Sequence, residues 1–293
     1  MRPDGTARRG RIRIAWNVEG PDDGIPLLLI MGLGLQMVFW PPRFRDLLTE
    51  HGFRVARFDN RDVGASTHLT ELGLPSPLVF LTRRWNGYTL ADMADDAVAV
   101  LDDLGWPNAH VVGVSLGGMI AQTLAIRHPG RVRTLTSLSS TPSPRIGRPH
   151  PRAMAALANL PVHDREAAAR QMVRVFRAIG SPGYPHDEEW IRDAARHSFD
   201  RAHDPNGVRR QLSAIVSAQD RRPGLRGLRL PALVVHGAAD PLVRLSGGRA
   251  TAKAVPGAKL VVYPGMGHDL PAALQPVIVK EIAGVVRQWT PAL

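Results

Sequence analysis

Short, wholly apolar runs alternate with longer stretches of helical spacing along most of this chain. Ile25-Pro26-Leu27-Leu28-Leu29-Ile30 has no polar position, the mark of a strand covered on both faces. Arg54 to Phe58, Ala109 to Val112, Val132 to Leu138, Pro231 to Gly237 and Lys259 to Tyr263 read as further strands, after an opening hairpin around Arg11 to Trp16. Between them, Pro42 to His51 reads as a helix. Leu90 to Leu104 sets Met93, Ala97, Val100, Leu101 and Leu104 on one helical stripe. This alternation predicts an α/β fold, a mostly parallel central sheet flanked by helices.

From about 141 to 229 the alternation stops. Prolines 142, 144, 149 and 151 close the first part of the core, and Pro223-Gly224 marks the return. Asp164 to Ile179, Asp187 to Phe199 and Asn206 to Ala218 are amphipathic helix patterns; the first aligns Met172, Val175, Phe176 and Ile179. Residues 1–140 and 230–293 are thus expected to form the core. Residues 141–229 are expected to form a helical cap, or lid, inserted between two late strands. A helical layer with no lid role fits the same pattern. Met154, Leu157, Met172, Phe176 and Leu212 are the candidate substrate-lining residues. Aromatic residues make up 5% of the chain, which predicts aliphatic cavity walls. His150, His163, His186, His197 and His203 lack metal-ligand spacing and are expected to face solvent.

The sharpest chemical signal is Gly113-Val114-Ser115-Leu116-Gly117, set between a strand and the helical pattern that starts near Met119. G-x-S-x-G in that context is a nucleophile elbow, with the serine at the tip of a sharp turn and glycines where strand and helix crowd. A serine needs a base, and the base needs a carboxylate to orient it. Asp240 and His268 lie just past the two last strands, in the order Ser, Asp, His. Asp240 before Pro241 also reads as a turn residue. His236 and Asp269 are the competing base and acid. His236 reads as a packed turn residue, and Asp269 is adjacent in sequence to the histidine it would orient. For the oxyanion, the backbone N–H of Leu116 is one expected donor; Leu33 in Met31-Gly32-Leu33-Gly34 is the other, with Gly32 as the alternative. Asp59 and Asp62 are expected to orient backbone or to pair with Arg61.

Composition narrows the classes. The absence of cysteine excludes disulfides, thiolate catalysis and cysteine zinc sites. The formal net charge of +11 rests almost wholly on arginine, with lysine only at 253, 259 and 280. The arginines are scattered, so nucleic-acid binding is not expected, whereas attraction of an acidic substrate fits. No dinucleotide fingerprint, P-loop or H-E-x-x-H occurs, and no cofactor or metal is expected. The expected partner is a small-molecule ester. No membrane span is expected, and the default compartment is the cytoplasm.

Met31-Gly32-Leu33-Gly34, Phe58 to Ser66, Gly113 to Gly118, His236 to Asp240 and Gly265 to His268 together resemble the α/β-hydrolase fold superfamily over most of the chain. The Met-Gly opening and Asp59-Asn60-Arg61-Asp62 look like the group that contains aclacinomycin methylesterase. The resemblance implies a serine hydrolase of carboxylic esters, including a methyl ester or lactone of a hydrophobic small molecule. The same triad supports C–C hydrolysis, perhydrolysis or cyclisation. A slow-turnover ligand receptor is the rival outside enzymes.

Overall fold

The computed structural model describes residues 3–157 and 162–289. Eight strands form one sheet: β1 (Gly5–Arg9), β2 (Ile12–Glu19), β3 (Ile25–Ile30), β4 (Phe53–Phe58), β5 (Ala109–Val114), β6 (Val132–Leu138), β7 (Ala232–Gly237) and β8 (Lys259–Tyr263). Their spatial order is β1-β2-β4-β3-β5-β6-β7-β8. The β1–β2 and β2–β4 pairs are antiparallel and all others are parallel.

The apolar runs follow from burial on both faces. Leu28 and Ile30 pack with Val111 under α3 (Leu90–Asp103) and α4 (Leu116–Arg127). Leu27 and Leu29 point the other way, into a second core with Val112, Leu233 and Val235. That core is covered by α1 (Pro42–Glu50) and α11 (Gln275–Val286). The short α2 (Val79–Thr82) and α10 (Ser246–Ala254) are the other α-helices among the described residues outside the segment between β6 and β7. No helix among the described residues is long and apolar enough to cross a membrane.

Between β6 and β7 the described residues form α5 (Pro151–Leu157), α6 (Arg165–Ile179), α7 (Glu188–Arg201), α8 (Pro205–Val216) and α9 (Arg222–Arg226). Asp164, Asp187 and Asp204 each cap a helix by accepting a backbone N–H of its first turn. Each such cap is worth about 1 kcal/mol. This insertion is tied to the core by buried ion pairs. Arg201 meets Asp59 at 2.8 Å and Arg210 meets Asp62 at 2.8 Å. The expected partner for these carboxylates, Arg61, instead turns to Asp96, at 2.6 Å. The expected backbone role does hold: Asp59 accepts from the Met37 and Ala65 N–H groups, and Asp62 from that of Leu69.

Two histidines buried in the sheet predict acid sensitivity. Burial, reinforced by Arg133, lowers His110 on β5 to about 4, and burial also lowers His236 on β7. Both are held neutral by the fold. Their contribution is therefore present above the unfolded value near 6.5 and is lost as pH falls through the folded value. For His110 this amounts to roughly 3 kcal/mol between pH 6.5 and about 4. Urea unfolding across that range should show His110→Asn with a flatter pH dependence than wild type. Parallel curves would remove His110 from the account.

Candidate active site

The chain switches direction at the centre of the sheet. From β3 it moves outward to β4, then returns to place β5 on the other side of β3. Register pairs Ile30 with Gly113, so the loops after β3 and β5 leave the sheet side by side, the usual place for a site in such a sheet. Ser115 occupies the turn between β5 and α4 with φ +56° and ψ −118°, a conformation non-glycine residues rarely adopt. The turn is possible because its flanks lack side chains. A Cβ on Gly113 would lie 2.1 Å from Gly117 O, and one on Gly117 would lie 1.9 Å from Ile30 O. Backbone bonds fix the strained residue: Ser115 N–H donates to Leu138 O at 2.9 Å and Ser140 Oγ donates to Ser115 O at 2.7 Å.

Asp240 lies in the loop after β7 and is 4% exposed. Its Oδ1 accepts the N–H groups of Leu242 (2.9 Å) and Val243 (2.8 Å), the bonds of a turn residue. Its Oδ2 is left for His268 Nδ1, at 2.7 Å. The turn and the histidine thus use different oxygens of one carboxylate. His268 and Ser115 line the same cavity. No hydrogen bond joins His268 to Ser115 Oγ among the described residues, a looseness common in ligand-free sites.

His236 is a strand residue rather than a turn residue. It is fully buried, with Nε2 on Val243 O at 2.6 Å, and it does not reach the cavity. Asp269 hydrogen-bonds to Ser181 Oγ and stands 3.7 Å from His186, and burial pushes its carboxyl up.

The loop after β3 carries the expected oxyanion donors. Leu35 N–H donates to Gly32 O at 3.3 Å. In a trans peptide the N–H opposes the C=O, so the Leu33 N–H points away from that turn. Gly32 borders Ser115 directly: a Cβ there would be 3.3 Å from Ser115 Cβ. The Leu33 and Leu116 N–H groups donate to no protein acceptor among the described residues.

A cavity of about 660 Å³ extends from Ser115, His268, Gly32 and Leu33 to the helical insertion. Met154, Leu157, Met172, Phe176 and Leu212 all line it. The expectation of aliphatic walls needs correction. Phe39 and Phe176 stack at 6.4 Å, and Trp190 meets each edge-on at 6.4 Å, all three at the cavity. His186 also lines it and is not turned to solvent as expected.

The family described as alpha/beta hydrolase fold matches residues 25–271, from the start of β3 to just beyond His268. The chain belongs to that family. The rhodomycin D methylesterase DnrP of Streptomyces peucetius is 30% identical over 292 residues, covering 90% of this chain and 92% of its own. The pimeloyl-[acyl-carrier protein] methyl ester esterase of Chromobacterium violaceum is 32% identical over 178 residues, 59% of this chain and 68% of its own. Among solved structures, the enol-lactonase of Burkholderia xenovorans LB400 superposes with a TM-score of 0.73 at 25% identity, covering 97% of this chain and all of its own.

Among the described residues of this α/β hydrolase, one group of side chains resembles a metal site. Ligand atoms of Asp62, His68 and Asp204 lie within 4.8 Å of one another. Arg210 already bridges the two carboxylates, at 2.8 and 2.7 Å, so their charge is met by the guanidinium. The cluster is an ion pair that ties α8 to the core.

Proposed function

We propose that this α/β hydrolase cleaves a carboxylic ester of a hydrophobic small molecule, a methyl ester or a lactone, through Ser115, His268 and Asp240. The observation that carries the reading is the 2.7 Å contact of Asp240 Oδ2 with His268 Nδ1 beside a serine held at positive φ in one apolar cavity. Ser115 Oγ attacks the ester carbonyl while His268 Nε2 takes its proton. The Leu33 and Leu116 N–H groups receive the developing oxyanion. His268 then gives the proton to the leaving alcohol, and Asp240 stabilises the imidazolium. Water deprotonated by His268 attacks the acyl-enzyme, releasing the acid and restoring Ser115. Alkoxide leaving groups need less protonation than amines, which favours esters over amides. The similarity to methylesterases and an enol-lactonase supports the same class.

The insertion from 141 to 229 acts as a cap that sets substrate size. A panel of methyl esters and lactones of increasing bulk tests this. Bulky apolar members should be hydrolysed faster than small, soluble ones. Phe176→Ala, which removes one face of the aromatic cluster, should lower kcat/KM for the bulky members about tenfold. Its rate of reaction at Ser115 with a small fluorophosphonate should stay within about twofold. Loss of stability without any change in selectivity would make the insertion a structural layer only.

A further inference from the structure

The loop that carries the Leu33 N–H is held from both ends. Asn60 Nδ2 donates to Met31 O at 3.0 Å. At the other end, Gln211 of α8 accepts the Gly34 N–H on Oε1 at 2.8 Å and donates from Nε2 to Arg61 O at 2.8 Å. With a carbonyl on one side and an N–H on the other, the amide has a single orientation that satisfies both. Gln211 is fully buried, and Arg61 is itself anchored by two bonds to Asp96, at 2.6 and 2.7 Å. The helix sits directly on the loop: a Cβ on Gly34 would lie 2.8 Å from Val208 Cγ2, one turn before Gln211. Gly32 and Gly34 flank Leu33, and within the loop the Gly32–Leu33 peptide is held against rotation by the long 3.3 Å bond from Leu35 N–H to Gly32 O.

We propose that Gln211 is a positioning residue for the oxyanion hole, a hydrogen bond through which the helical insertion fixes the Leu33 N–H beside Ser115. It never touches substrate. Catalysis therefore depends on the seating of the insertion as well as on the triad. The inference rests on the reading of Ser115 and Leu33 given above.

The test uses Gln211→Leu, which keeps the bulk and removes both bonds, Gln211→Met as a more pliable equivalent, and Gln211→Glu, which keeps the acceptor for Gly34. Active sites are titrated with a fluorophosphonate, so that kcat refers to folded, reactive protein. Q211L and Q211M should lose about 10- to 100-fold in kcat per titrated site, less than the ~10²–10³ for deleting an oxyanion donor outright. KM should stay within about twofold. Affinity for an alkylboronic acid, whose tetrahedral Ser115 adduct places an oxygen in the hole, should fall in the same proportion. Q211E should lie between wild type and the apolar variants. Unchanged kcat per site and unchanged boronate affinity in whichever apolar variant folds would overturn the proposal, whatever its melting temperature. If wild type takes no label at Ser115 and turns over no ester, it is the underlying reading that fails.

Discussion

Replacement of Ser115 by alanine should cut kcat about ten-thousand-fold or more while leaving the melting temperature within a few degrees of wild type. The substitution removes only the attacking oxygen. Ser115 Oγ makes no hydrogen bond among the described residues, and its strained backbone is fixed by its own N–H and C=O. Stability therefore loses little. What remains after the nucleophile is gone is the contribution of the oxyanion donors and of binding, which is far below the whole. Steady-state hydrolysis of an aryl ester and a thermal melt on the same sample give both numbers. Near-normal turnover by the alanine variant would mean that another group attacks.

Asp240→Asn should be nearly as damaging, about 10⁴-fold in kcat, for a reason specific to this loop. The Leu242 and Val243 N–H groups both donate to Oδ1. They would hold the carbonyl oxygen of an asparagine in that position and turn its NH₂ towards His268 Nδ1. That nitrogen must then accept, the ring proton moves to Nε2, and the base that Ser115 needs is lost. Raising the pH cannot restore it, because the tautomer is set by hydrogen bonding rather than by charge. An Asp240→Asn variant with wild-type kcat, or with a pH profile merely displaced, would contradict this role.

The parts of the fold legible in the sequence are those with local causes. Burial on both faces makes β3 a continuous apolar run, and the observed bounds of β3, β6 and β8 coincide with those read from the pattern. The elbow was legible because the glycines at 113 and 117 answer contacts within a few residues or with the adjacent strand. The partners of the buried charges were not. Asp59 and Asp62 sit beside Arg61 in sequence, yet they meet Arg201 and Arg210, 142 and 148 residues away. No periodicity encodes which arginine of an amphipathic helix will fold back over which loop. Gln211 escaped for the same reason: a glutamine in a helix looks solvated until its helix lands on Gly34, 177 residues earlier. Phe176 was legible on its helical stripe, but Phe39 and Trp190 were hidden by averaging, since a low overall content still allows aromatics from three elements to converge. Val277-Ile278-Val279 of α11 fits a strand as well as a helix, so the local pattern does not decide that element.

Catalysis by this site turns on one nucleophile, and its most direct test is covalent. Wild type should be treated with a fluorophosphonate, digested and mapped by mass spectrometry, with and without prior incubation with a bulky methyl ester. A single adduct on Ser115, formed with loss of esterase activity in equal proportion and slowed by the ester, is the predicted result. Labelling at another residue, or full activity after complete modification of Ser115, would contradict the account.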